Sequence, residues 1–284
     1  MDFAQIRRIT ITALFSDDVL LERLVLKGGN ALNLVYGLTL RTSLDLDFSM
    51  DSDFENVDEA RGRLFRALKN RFDAVGYIVF DEQLEAKPRL DGEDKKPWWG
   101  GYELRFKLIE RSKYQALKGQ PEKLRMGATV TGTRQEKTFT VDLSKCEYTA
   151  GKAEQELDDF TIYVYTPEMI VVEKLRAICQ QMPEYSHRGR PAARARDFYD
   201  IQQVVNELKF NLGSEENLEL VRQIFAAKQV PLSLLSRIGQ HREFHRPDWP
   251  AVIAATSGAL KEFDFYFDFV VAQVDEHLKS LWVE

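Results

Sequence analysis

The chain of 284 residues is long enough for one large domain or two ordinary ones, and its composition, 44% hydrophobic and 30% charged, is that of a globular protein. No apolar run approaches the roughly 18 to 20 residues of a membrane span. The N-terminal stretch is broken by Asp2, Arg7, Arg8, Asp17 and Asp18 instead of reading basic then apolar, so a cytoplasmic protein with no membrane partner is expected. A net charge of −6 argues against general coating of nucleic acid, but the charge is unevenly spread. Between Lys87 and Arg125 eleven residues are basic and six acidic, and a second basic run holds Arg188, Arg190, Arg194 and Arg196. Such stretches either hold a phosphate-rich ligand or are solvated loops and helix faces. Cys146 and Cys179 have neither metal-ligand spacing nor the look of a disulfide framework, and read as reduced thiols.

In chain order, residues 1–25 read as a helix pair or one broken helix, with Phe3, Ile6, Ile9, Leu20, Leu21 and Leu24 as its apolar positions. Val25 and Leu26 lead to Gly28-Gly29, after which 30–36 look helical, with Gly37 as the stop. Residues 43–49 alternate, with Leu44, Leu46 and Phe48 on one face and Asp45 and Asp47 on the other, which predicts a strand. A helix follows over 54–74 and a short strand over 77–80, and the polar stretch 81–100, with Pro88, Pro97 and Gly100-Gly101, reads as a loop. Strands are predicted over 104–109, 127–132, 139–143 and 162–165. Thr166-Pro167 then opens a helix that runs through Ile178, threonine being a good cap and proline suiting the first turn. Helices are predicted over 197–208, 218–227, 251–255 and 263–281. Strands and helices mix up to about residue 165 and helices follow alone. The expected fold is α+β: a small mixed-sheet core with N-terminal helices over 1–165, then an α-helical C-terminal part over 166–284.

The chemistry concentrates between Gly28 and Phe48. Two glycines before a helix let backbone approach a ligand closely, and a helix N-terminus favours phosphate, although this pattern alone is common. Asp45 and Asp47 lie two apart on a strand, so both carboxylates point to one face. Aspartate is depleted in strands and like charges repel, so the pair asks for a reason, and one or two divalent cations supply it. Asp142 alternates outward on the 139–143 strand. If that strand lies beside the first, Asp142 joins the pair as a third carboxylate; otherwise it is a strand-end residue. Lys174 shares a helix face with Ile170, Val171 and Ile178, where a lysine either snorkels or reaches an anion. Asp197 and Asp200 face the same way on a helix, and either serve a site or mark a helix start paired with Arg194 and Arg196. Trp98-Trp99 could stack on bases or cover a core edge.

Gly-Gly, a helix, Asp-x-Asp on a strand and a later strand carboxylate resemble the DNA polymerase beta-type nucleotidyltransferase superfamily. The blocks K-G-G-N-A-L, R-T-S-L-D-L-D-F, E-K-L-R-A at 173–177 and R-A-R-D-F-Y-D-I at 194–201 resemble, more closely, the AbiEii/AbiGii toxin family of nucleotidyltransferases, over roughly 26–205. The resemblance implies that Asp45 and Asp47 hold Mg²⁺ (or Mn²⁺), with Asp142 as a third ligand. Gly28, Gly29, Asn30, Arg41 and Ser43 would place the NTP, Asn30 standing where many relatives carry serine. Lys174 would neutralise the triphosphate, and Asp197 is the late aspartate the activity requires. Arg188, Arg190 and Arg194 would hold RNA. It further implies the toxin of a toxin–antitoxin or phage-defence pair, with a cognate antitoxin, moving NMP from NTP to an RNA acceptor, the tRNA 3′ end first. The alternatives are nucleotidylation of a protein partner, or a GTP-binding regulatory module without transfer.

Overall fold

The computed structural model describes residues 1–38, 46–88, 96–131, 135–187, 190–256 and 258–282. Two compact units share the chain, one from the described parts of 1–30 and 44–164, the other from those of 31–43 and 165–284.

In the first unit, α1 (Phe3–Phe15) starts at a capping box. Asp2 accepts the Gln5 N–H at 2.8 Å, and Gln5 Oε1 accepts the Asp2 N–H at 2.9 Å. Asp17 caps α2 (Asp18–Arg23), which leads into β1 (Val25–Lys27). There α3 (Gly28–Leu34) begins, and β2 (Leu46–Ser49) and α4 (Val57–Ala74) follow, the last capped by Asn56. Then come β3 (Tyr77–Lys87), β4 (Gly101–Glu110), α5 (Arg111–Leu117), α6 (Pro121–Gly127), β5 (Phe139–Ser144), β6 (Ala153–Leu157) and β7 (Phe160–Val164). Among the described residues these strands form one seven-stranded mixed sheet in the order β3-β4-β5-β2-β1-β7-β6. The β2–β5 and β1–β7 pairs are parallel and the others antiparallel. Alternation gives the sheet an apolar face of fully buried Leu46, Phe48, Leu104, Phe106, Val141 and Leu143, while α1 packs against α4 and β7, and α4 against β3.

Three expectations change. The 81–100 loop is strand as far as Lys87: a bulge between Phe80 and Gln83, with Asp81 at φ 52°, interrupts the alternation, and β3 is a charged edge strand whose polar residues read as loop. The strand expected over 127–132 is not one among its described residues, 127–131. Gly127 closes α6, and the following residues are tied by single hydrogen bonds (Thr129 N–H to Leu108 O, 2.7 Å; Thr131 N–H to Glu136 O, 2.6 Å) without forming a ladder. The last helix stops at His277, not 281, giving way to a short 3-10 turn at Lys279–Trp282.

The second unit is helical where described: α7 (Pro167–Cys179), α8 (Ala195–Leu208), α9 (Glu215–Ala227), α10 (Arg242–His245), α11 (Trp249–Ala255) and α12 (Phe263–His277), with a 3-10 segment at Leu232–His241. Thr166 caps α7 by accepting the Met169 N–H at 3.3 Å, with Pro167 in the first turn. Its core is aromatic: Phe198 stacks on Phe267 with centroids 4.9 Å apart, and Phe263 meets Phe198 edge to face.

Candidate active site

β5 does lie beside β2, and the register sets Asp47 opposite Asp142. Directly paired residues present their side chains on the same face. The row continues both ways, since Lys27 pairs with Asp47 across β1–β2 and Glu103 pairs with Asp142 across β4–β5. The face opposite the core therefore carries Lys27, Asp47, Asp142 and Glu103 side by side. Asp45, Arg41 and Ser43 lie outside the described residues.

Each member has a definite setting. Gly28 sits at φ +70°, and a Cβ there would stand 3.4 Å from Asp47 Oδ2, so glycine both permits the left-handed turn and keeps the chain close to the carboxylate. Lys87, at the end of β3, donates to Asp142 Oδ1 at 2.9 Å and to Glu103 Oε2 at 3.1 Å. Burial works to lower the Lys87 pKa, but these two carboxylates, Asp142 foremost, raise it above the ordinary lysine value. Lys27 is buried, with Nζ 3.4 Å from Ser144 Oγ and 3.9 Å from Glu147 Oε1. Asn30 is buried, and its Oδ1 accepts from Arg7 Nη1 at 2.8 Å, so its amide oxygen serves α1. Burial lowers the Arg7 pKa, with Asp2 opposing.

Carboxylate oxygens are the hard donors that magnesium or manganese takes, usually one or two from protein completed by substrate phosphates. Asp47 and Asp142 present such oxygens from one face of adjacent strands, which fits a divalent cation. Among the described residues, which leave out Asp45, no three His, Cys, Asp or Glu side chains are gathered for a metal.

In the second unit, the anion that Lys174 reaches is a pair of the protein's own carboxylates. Its buried Nζ lies 3.0 Å from Asp197 Oδ1 and 2.7 Å from Asp200 Oδ2. Asp197 also accepts from Arg194 Nε. Burial pushes the Asp197 pKa up, but the positive charges of Arg194 and Lys174 prevail and hold it well below the usual carboxylate range. The Arg194 N–H, at the head of α8, donates to His245 Nδ1 at 3.1 Å. Burial lowers the His245 pKa to about 4, so the ring is neutral. Arg190 is exposed, and Arg188 lies outside the described residues.

A family model described as nucleotidyl transferase AbiEii toxin, type IV toxin–antitoxin system, matches residues 11–269. The chain belongs to the AbiEii family. The match reaches well past both ends of the 26–205 stretch whose motifs resemble AbiEii in the sequence, so the C-terminal helices are part of the family pattern. Two solved structures are similar. An H. pylori protein assigned as a nucleotidyltransferase is 18% identical with a TM-score of 0.49, covering 98% of this chain and 94% of its own. An antigenic nucleotidyltransferase-like protein from Paracoccidioides brasiliensis is 14% identical with a TM-score of 0.42, covering 91% and 96%. No curated protein matches in sequence. Membership of AbiEii makes the chain a nucleotidyltransferase of the toxin type. Among the described residues no helix is long and apolar enough to cross a membrane.

Sequence reasoning left Lys27 and Glu103 without a role, and read Lys87 only as part of the basic 87–125 stretch. The place of Lys27 and Glu103 in the row depends on strand register, and no single strand's own pattern carries that.

Proposed function

We propose that this AbiEii-family chain transfers a nucleoside monophosphate from an NTP to an RNA acceptor, with the tRNA 3′ end as the first candidate. The observation that carries this reading is the pairing of Asp47 with Asp142 on adjacent parallel strands, beside the close approach of Gly28. Asp47, Asp142 and, from the sequence motif, Asp45 would hold Mg²⁺ or Mn²⁺. Bound there, the ion would neutralise charge on the transferring phosphate and on the oxygens that attack and leave. The protein's share is positioning and electrostatics. The Gly28-Gly29 backbone would admit the triphosphate close to the carboxylates, and Asp47 and Asp142 would hold the metal on one face of the sheet.

By the resemblance of the 173–177 and 194–201 blocks, Lys174 would neutralise the triphosphate and Asp197 would be the late aspartate that the activity requires. Asp197 and Asp200 hold the Lys174 amine in place by hydrogen bonds, and a triphosphate would share it with them. A cognate antitoxin, a cytoplasmic setting and a part in phage defence follow from the family as proposals.

Incubating the protein with Mg²⁺, each α-labelled NTP in turn, and total RNA or total cell protein tests the acceptor class. Label on tRNA is expected. Label on protein alone would move the assignment to protein nucleotidylation, and nucleotide binding without pyrophosphate release would leave a binding module.

A further inference from the structure

The Lys174 amine stands at the end of a chain of contacts that begins on another helix, at His245. Asp197 Oδ1 and Asp200 Oδ2 accept from Lys174 Nζ at 3.0 and 2.7 Å, and the second oxygen of Asp197 accepts from Arg194 Nε. Asp197 and Asp200 are three apart on α8, so one face of that helix presents both. Their place depends on how the chain enters α8. Arg194 stands at its head, with φ −137° and ψ 44°, and its side chain does not cap the helix. Its backbone is held from α10, where His245 Nδ1 accepts the Arg194 N–H at 3.1 Å. The His245 ring also packs on Phe198, the residue after Asp197, with centroids 5.1 Å apart.

His245 is fully buried, and accepting at Nδ1 leaves the proton of the neutral ring on Nε2. That N–H has no hydrogen-bond partner among the described residues. A buried donor without a partner is a cost that an apolar side chain would avoid. What histidine supplies that leucine cannot is the acceptor for Arg194.

We propose that His245 is a positioning residue for the nucleoside triphosphate: by holding the backbone at Arg194 it sets Asp197 and Asp200, and through them the Lys174 amine that meets the phosphates. This rests on the functional reading above, in which Lys174 neutralises the triphosphate, and it gives the C-terminal helices a part in that site. A misplaced amine weakens the hold on the triphosphate in the ground state and the transition state alike. The loss therefore falls on binding and KM more than on kcat.

The test compares two amides in the full-length chain. In His245→Asn the side-chain oxygen lies near the place of Nδ1 and still accepts from Arg194. In His245→Gln the amide lies near the place of Nε2, and Arg194 loses its acceptor. Calorimetry with Mg²⁺ measures binding of the α,β-methylene analogues of ATP, GTP, CTP and UTP in turn, and transfer with NTP varied gives KM and kcat. His245→Asn should bind within about twofold of wild type and His245→Gln roughly 3- to 10-fold more weakly, with KM rising in step and kcat changing less than about twofold. His245→Leu removes the acceptor and the unpartnered N–H together, so it should bind as weakly as His245→Gln even where its thermal melt matches that of wild type. Equal binding by all four proteins overturns the proposal, as does a loss in kcat alone, or affinity that follows melting temperature instead of the acceptor. If wild type labels RNA while the variants bind alike, the positioning role alone fails. If wild type binds none of the analogues, the functional reading fails and the positioning role falls with it. If the variants differ as expected but no RNA is ever labelled, transfer to RNA fails and the positioning role stands.

Discussion

Asp47 and Asp142 stand directly opposite each other on two adjacent parallel strands, in a row that runs from Lys27 through Glu103 to Glu85. Carboxylates set side by side repel, and within this row two of them share a lysine from another strand: Lys87 bonds both Asp142 and Glu103. That ammonium and a divalent cation would draw on the same oxygens.

Lys87 should therefore compete with the metal. Its side chain is 55% exposed, so Lys87→Ala should change stability by less than about 1 kcal/mol. The Mg²⁺ concentration giving half-maximal transfer should nevertheless fall at least about twofold, as the Asp142 oxygens are released. A metal titration of the two proteins decides it; an unchanged midpoint would remove Asp142 from the metal site.

Gly28→Ala is strained by its positive φ, and the new methyl group would rest in contact with Asp47 Oδ2 at 3.4 Å. The backbone term alone costs about 1–2 kcal/mol, to be read in urea unfolding. Transfer should fall by more than the folded fraction does, because the methyl group occupies the space between the backbone and the Asp47 carboxylate. Wild-type activity per folded molecule would show that the close approach is incidental.

Lys174→Met leaves Asp197 and Asp200 buried with the lysine's charge gone. Breaking such a buried pair costs about 3–5 kcal/mol, and adding Asp200→Ala to Lys174→Met should recover part of it. Thermal or urea unfolding measures both. A loss below about 1 kcal/mol would mean that the cluster contributes little to the second unit.

His245 accepts the Arg194 N–H as a neutral ring, and its pKa is lowered by burial to about 4. The unfolded chain takes up a proton near the ordinary value of about 6.5, which the folded chain refuses until about pH 4. Stability should therefore fall as pH drops through that window, by on the order of 3 kcal/mol from this residue, and level off below it. His245→Asn should flatten the slope. Urea midpoints at pH 7 and 4.5 give the comparison, and equal slopes would contradict the assignment.

Much of this was legible in the sequence, and the gaps have physical causes. The outward alternation of Asp142 and the Thr166-Pro167 helix start were read correctly because each is local. So was the α+β class, which follows from periodicity. The helices α5 and α6 were missed because neither buries a residue, which leaves no apolar stripe to detect. The charged β6 has no strand-like composition, and is extended through its pairing with β7. Lys174 was left between snorkelling and anion binding, since its partners are 23 and 26 residues away on another helix.

The most direct measurement compares wild type with Asp47→Asn in transfer of label from an α-labelled NTP to tRNA, with circular dichroism to confirm that both are folded. The amide keeps the shape of the side chain and removes the charge that would hold the cation. Loss of transfer by at least about a hundredfold with the fold intact is the predicted result. Transfer that persists in Asp47→Asn would contradict the claim that the Asp47–Asp142 face is where the reaction occurs.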